Sequence, residues 1–399
     1  MFKMYRGLPR PIYVIFISYI INNIGNFVNP FLTMYLTDKM GYSELVVGIF
    51  VSVNAFVGLI SSLIGGSIID KIGRKNILII TRIIGFIIYF ICAFLENSKV
   101  IPFLLIFSSF IMSLSLPVFG TMVSDLTEGE KRKAAYSLNY LAMNIGFAVG
   151  PILAGFLYRN HIKWLFLGDA ITLIISGFLV YFMVPETKPT DEEIKVKRND
   201  AQKAESGSLI RALLKRPEII AFSGIIVLFF IVFAQFTYGL TLHTSELFLD
   251  NKAIKYGMLM TINAIAVCFS TVPITNILKK FKASLNIAIG GLLYFIGFGM
   301  LAFTHSFLGM IISCIIWSLG EVCVSTNTNV YIADHAPITH RGRFNSLFPI
   351  IRKAGFGLGP IIMGIAVKNM GIFNSWFIIA LIALIGTVGM LFLYREECK

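Results

Sequence analysis

Twelve apolar runs, each about as long as one bilayer crossing, recur along this chain between short charged or turn-rich segments. A helix rises 1.5 Å per residue, so about 20 apolar residues cross a hydrocarbon core about 30 Å thick. Within that core every backbone N–H and C=O needs an internal partner, which an α-helix supplies. The runs predict helices over residues 11–36, 45–69, 76–95, 101–124, 134–158, 162–184, 217–241, 254–278, 285–304, 307–331, 344–367 and 372–394. The chain is therefore read as an all-α polytopic membrane protein whose main partner is the lipid bilayer. Its 14% charged residues, against about a quarter in soluble domains, and its 36 phenylalanines fit that reading.

A net charge of +13 raises the question of nucleic acid, and the placement of the basic residues answers it. Most Lys and Arg fall in alternate short loops, such as Lys71, Arg74 and Lys75, or Lys131, Arg132 and Lys133, and in one long polar segment. The intervening loops carry few. The positive-inside pattern places both termini and the long segment in the cytoplasm of a plasma-membrane protein, and needs no nucleic acid. The N-terminal run has no small-residue cleavage site after it and is read as a retained first span. Cys92, Cys268, Cys314, Cys323 and Cys398 show no metal-ligand spacing, so no metal or cofactor is expected.

The long polar segment, Pro185 to Arg216, divides the chain into residues 1–184, a linker 185–216 and residues 217–399, with six runs on each side. The two sides repeat each other. A shift of 209 residues lays Asp125 to Gly155 over Asp334 to Gly364, matching Gly146, Phe147, Gly150, Pro151 and Gly155 with Gly355, Phe356, Gly359, Pro360 and Gly364. Two homologous six-helix halves joined by a cytoplasmic linker form the architecture of a secondary transporter, whose site is expected near the midplane between the halves.

Between the second and third runs stands GGSIIDKIGRKN, residues 65–76. Its Gly66, Asp70, Gly73, Arg74 and Lys75 resemble the GxxxDxxGRK loop signature of the major facilitator superfamily. The resemblance implies a conformational latch in which Asp70, with Arg74 and Asp125, stabilises one state. The matching segment of the second half, TNILKKFKAS, has Lys279 where the aspartate would stand. In the fifth run, GFAVGPILAG (Gly146, Gly150, Pro151, Gly155) resembles the motif of the superfamily's antiporter branches, with Ala154 at one glycine position. The same residues also serve as ordinary small-residue helix packing. The tenth run carries Leu319, Gly320 and Glu321, as in bacterial drug:proton antiporters. That resemblance implies a twelve-helix major facilitator fold around a central cavity, working as a monomer on small molecules and protons.

Ionisable groups inside apolar runs are costly and mark function. Glu321 sits near the middle of its run, and its 209-residue equivalent is Met112. A carboxyl group desolvated there can take up and release a proton as access alternates, or serve as a hydrogen-bonded structural group. Asp169 lies close to the outer end of the sixth run. Arg352 and Lys353 fall inside the eleventh, as partners of Glu321, as counter-charges for an anionic substrate, or snorkelling to the surface. Candidate cavity residues are Asn22, Asn26 and Asn29 on one face of the first run, Asn139, Tyr140 and Asn144 in the fifth, and Gln235 and Tyr238 in the seventh. Helix-to-helix amide pairing accounts for the asparagines equally well. An arginine that such antiporters carry in the fourth span is replaced by Leu105.

The function expected is proton-coupled efflux of amphipathic, drug-like molecules; a same-fold transporter of a metabolite, lipid, siderophore, sugar or peptide shares nearly every feature. No HExxH, GxSxG or paired intramembrane aspartates suggest an enzyme.

Overall fold

The computed structural model describes residues 5–96, 98–188, 217–335 and 347–399. Most of the linker therefore lies outside the described residues, as do Arg341 and the side chains of Asp70 and Asp334. All regular structure among the described residues is helical. In order, the elements are α1 (Arg10–Ile24), α2 (Val28–Met34, running into a π-helical turn Tyr35–Lys39), α3 (Glu44–Ile72), α4 (Arg74–Cys92), α5 (Ile101–Leu114), α6 (Val118–Leu126), α7 (Gly129–Asn160) and α8 (Ile162–Met183). They continue with α9 (Pro217–Phe233), α10 (Gly239–Leu247), α11 (Lys252–Leu278), α12 (Ala283–Gly299), α13 (Phe307–His335) and α14 (Leu347–Glu397).

Eleven helical runs among the described residues are long and apolar enough to cross a membrane. The last, Pro349–Glu397, contains the final two runs expected from sequence. Gly371 (φ 76, ψ 168) interrupts it, and each side exceeds the roughly 20 residues one crossing needs. Three other crossings are broken. The first divides between α1 and α2, the fourth between α5 and α6, and the seventh passes through a 3₁₀ turn Ala234–Phe236 between α9 and α10. Large side chains such as Phe103, Phe182 and Phe269 stay exposed, as surface facing lipid would require.

The chain forms two compact units: unit 1 is Met1–Gly41, Phe56–Lys195 and Ala253–Ala264, and unit 2 is Tyr42–Ala55, Val196–Lys252 and Ile265–Lys399. Two helices, α3 and α11, are thus each divided between the units. Unit 1 has an aliphatic core that includes Ile12, Ile15, Leu78, Val118, Met122 and Val180. Unit 2 is more aromatic. Phe298 lies parallel to the rings of both Trp317 and Trp376, at 5.4 and 6.0 Å.

Candidate functional site

In unit 1 the loop between α3 and α4 is organised by charge. The side chain of Arg74, at the first position of α4, reaches Asp125 near the end of α6, with Nε 3.2 Å from Oδ2. The Arg74 side chain is buried and Asp125 is partly exposed, so solvent screens the pair in part. The start of α4 leaves N–H groups without helical acceptors. Glu186, in the segment read as linker, fills that place: Arg74 N donates to Oε1 (2.9 Å) and Lys75 N to Oε2 (3.1 Å). Lys188 Nζ donates to the Lys71 carbonyl (2.9 Å). Arg74 and Asp125 are thus brought together, and Glu186, which the local motif does not contain, caps the helix that Arg74 begins.

The GFAVGPILAG glycines of α7 are contact points. A Cβ on Gly146 would strike Asn23, one on Gly150 would lie 2.7 Å from the Ile24 carbonyl, and one on Gly155 would lie 2.7 Å from the Ala253 carbonyl. The Ala148 carbonyl accepts a hydrogen bond from Thr261 Oγ1 (2.7 Å). This stretch of α7, with Pro151 inside it, therefore packs against the end of α1 and the start of α11 within unit 1.

The asparagine stripe does not follow one helical face. Helix α1 ends at Ile24 and α2 begins at Val28, so Asn26 lies in the break, Asn22 before it and Asn29 beyond it. Asn22 and Asn26 are half-buried and Asn29 is exposed. Pro30 has no N–H to give the Asn26 carbonyl, which disfavours a continuous helix here, and at the break the carboxylate of Asp169 on α8 accepts the N–H groups of Phe27 (Oδ1, 2.6 Å) and Val28 (Oδ2, 3.4 Å). In α7, Asn144 Nδ2 donates to the Tyr140 carbonyl (2.8 Å), Tyr140 is exposed, and Asn139 Oδ1 is buried without a partner.

In unit 2, Glu321 lies half-buried on α13, where α13 approaches α12 closely: a Cβ on Gly320 would lie 2.8 Å from the Gly290 carbonyl. Tyr294, fully buried on α12, stacks on Phe233 (6.0 Å) and lies against Phe298 (5.8 Å). The Arg352 guanidinium lies 5.6 Å from the ring centre of Phe356, which belongs to an aromatic group with Phe233 and Phe236. Glu321 and Arg352 are thus an acid and a cation carried on apolar helices of unit 2, and Arg352 lies against aromatic rings. Gln235 and Tyr238 are fully buried: Gln235 Nε2 donates to the Ile231 carbonyl (2.9 Å) with Oε1 unpartnered, and the Tyr238 hydroxyl donates to the Glu44 carbonyl.

Two further buried groups stand out. Arg82, in the middle of α4 and 3% exposed, faces the Phe119 ring at 5.8 Å and leaves Nε without a partner. His243 on α10 accepts the indole N–H of Trp376 at Nδ1 (3.0 Å), so its Nε2 carries the proton donated to the Thr304 carbonyl (3.1 Å). A lone Arg within an apolar run was the available signal for the first. Nothing local marks the second. Among the described residues no group of three or more His, Cys, Asp or Glu could hold a metal ion, and the five cysteines are unpaired.

A model of the Major Facilitator Superfamily matches residues 14–348 and 251–397. The MFS-type transporter YqjV of Bacillus subtilis is 25% identical over 92% of this chain and 89% of its own length. A Na(+), Li(+), K(+)/H(+) antiporter of Planococcus maritimus is 22% identical over 84% of each chain. Among solved structures, a POT family transporter in complex with a thioalcohol-conjugated peptide superposes with a TM-score of 0.81 at 17% identity, covering 100% of this chain and 98% of its own.

Proposed function

Because the chain belongs to the major facilitator superfamily, a family of membrane transporters, we propose that it is a proton-coupled exporter of amphipathic small molecules. Its cycle alternates access through two six-helix halves, residues 1–184 and 217–399, joined by the linker 185–216, with twelve crossings and both termini in the cytoplasm of the cell membrane. The working unit is a monomer. The observation that carries the reading is Glu321, a half-buried acid within an apolar span, next to the close contact between α12 and α13. Such a group can hold a proton in one access state and yield it to the other side in the next, while Arg352 compensates its charge. Antiport against protons in the Planococcus relative is consistent with this coupling. Asp70, Arg74 and Asp125, with Gly66, Gly73 and Lys75 shaping the loop, latch one conformation. Asn22, Asn26, Asn29, Asn139, Tyr140, Asn144, Gln235 and Tyr238 contribute neutral hydrogen-bonding groups to substrate handling.

Accumulation of ethidium in energised cells tests the reading: cells expressing the protein retain less dye, and a proton uncoupler abolishes the difference. Equal retention with and without the protein would reject drug-like substrates. A second reading, uptake or export of an anionic metabolite or peptide, is favoured by the adjacent cations Arg352 and Lys353. Under it, Arg352→Gln abolishes transport of an anionic substrate.

A further inference from the structure

Asp169 is 4% exposed, and its two carboxylate oxygens accept only the backbone N–H groups of Phe27 and Val28. No Lys or Arg pairs with it among the described residues. The titratable group that interacts with it from a packed element is Tyr89 on α4, neutral when protonated; Tyr158 on α7 instead donates its hydroxyl to Asp38 (3.2 Å). Arg82 lies two turns along α4 from Tyr89 and faces Phe119 instead. A buried charge is therefore balanced by two N–H dipoles that exist as free donors only because the first span is broken there. The break is also tightly fitted. A Cβ on Gly25 would collide with Thr172 on α8, whose hydroxyl donates to the Gly168 carbonyl (2.9 Å).

We propose that Asp169 is a proton-binding clamp on the broken first span, holding α2 in place while ionised and releasing it when protonated. The ionised group offers two acceptor oxygens, one for each N–H. Protonation leaves the carbonyl oxygen as a full acceptor and turns the other into a hydroxyl, an uncharged and weaker acceptor, so the charge-assisted hold on the two backbone N–H groups weakens. The loosened segment leads outward to a specific contact: Phe31 on α2 packs edge-on to Tyr256 of α11 (5.2 Å) and lies against Tyr158 (5.6 Å). Proton binding at Asp169 thereby weakens the hold of α2 on the first turns of α11 within unit 1. This site is separate from Glu321 and does not require the identity of the substrate.

Hydrogen–deuterium exchange of the intact protein in nanodiscs tests the clamp, with rates between pH 8 and pH 5 corrected for intrinsic chemistry. Protection of residues 25–34 in the wild type is expected to fall about ten-fold toward low pH, the size of a typical coupling between sites. Asp169→Asn should show the low protection at every pH, Asp169→Glu should restore a pH dependence, and Glu321→Gln should leave the wild-type profile intact. Wild-type protection that does not change with pH overturns the proposal, as does a pH dependence that survives in Asp169→Asn or vanishes in Glu321→Gln. If Asp169→Asn does not fold, the wild-type profile and the Glu321→Gln profile decide. Absence of dye transport would reject the exporter reading and leave this result standing.

Discussion

Units 1 and 2 each contain a broken span, the two breaks lie 209 residues apart in sequence, and they are held in different ways. The 209-residue shift that aligns the halves carries Gly25, Asn26 and Phe27 onto Ala234, Gln235 and Phe236, the 3₁₀ turn of unit 2. It carries Asp169 onto Ile378. In unit 1 a carboxylate on the sixth span takes the freed backbone donors. In unit 2 the turn closes on itself, Thr237 N donating to the Ala234 carbonyl (3.2 Å), while the twelfth span contributes Trp376 to His243 two turns further on. The backbone bend is thus a property of the repeat, and the chemistry attached to it is a property of each half. Glu321 shows the same divergence in the other direction, with Met112 as its counterpart. Among the described residues Asp169 in unit 1 and Glu321 in unit 2 are acids carried within spans, at positions that do not correspond under the 209-residue shift.

That difference can be broken by substitution. Asp169→Leu leaves two buried N–H groups without acceptors, at about 1–3 kcal/mol each, so thermal unfolding in detergent should shift strongly downward. Its counterpart Ile378→Leu should cost less than about 1.5 kcal/mol. Equal shifts for the two would remove the asymmetry. His243→Ala orphans the Trp376 indole N–H and should cost roughly 1–3 kcal/mol by the same assay. Gln235→Leu removes an amide whose Oε1 is already unpartnered, and its unfolding midpoint should move by no more than about 1 kcal/mol. A double-mutant cycle on Arg74→Ala and Asp125→Ala should give a coupling of about 0.5–1 kcal/mol, the smallest effect of the set. A cycle giving no coupling would show that the pair holds no latch.

The apolar runs were legible because crossing a bilayer demands length and hydropathy, both local properties. Arg74 was readable from a loop motif, and the structure joins it to Asp125, which lies 51 residues further along the chain. What escaped depends on contacts distant in sequence. Asn22, Asn26 and Asn29 have the spacing of a helical face, yet the helix stops at Ile24, and the carboxylate that accepts the N–H groups left at the break, Asp169, stands 142 residues from Phe27. Glu186 reads as part of a charged linker, and its capping role appears only when it meets the start of α4. Arg82 was visible as a cation in a span, but its lack of an acidic partner follows from packing alone.

The central claim is that Glu321 carries the coupled proton. Purified wild type and Glu321→Gln, reconstituted in liposomes with an imposed pH gradient and a clamped potential, would be compared for ethidium transport. The account predicts that the variant loses gradient-driven transport by at least about ten-fold while retaining dye exchange without a gradient. Full gradient-driven transport in Glu321→Gln would contradict it.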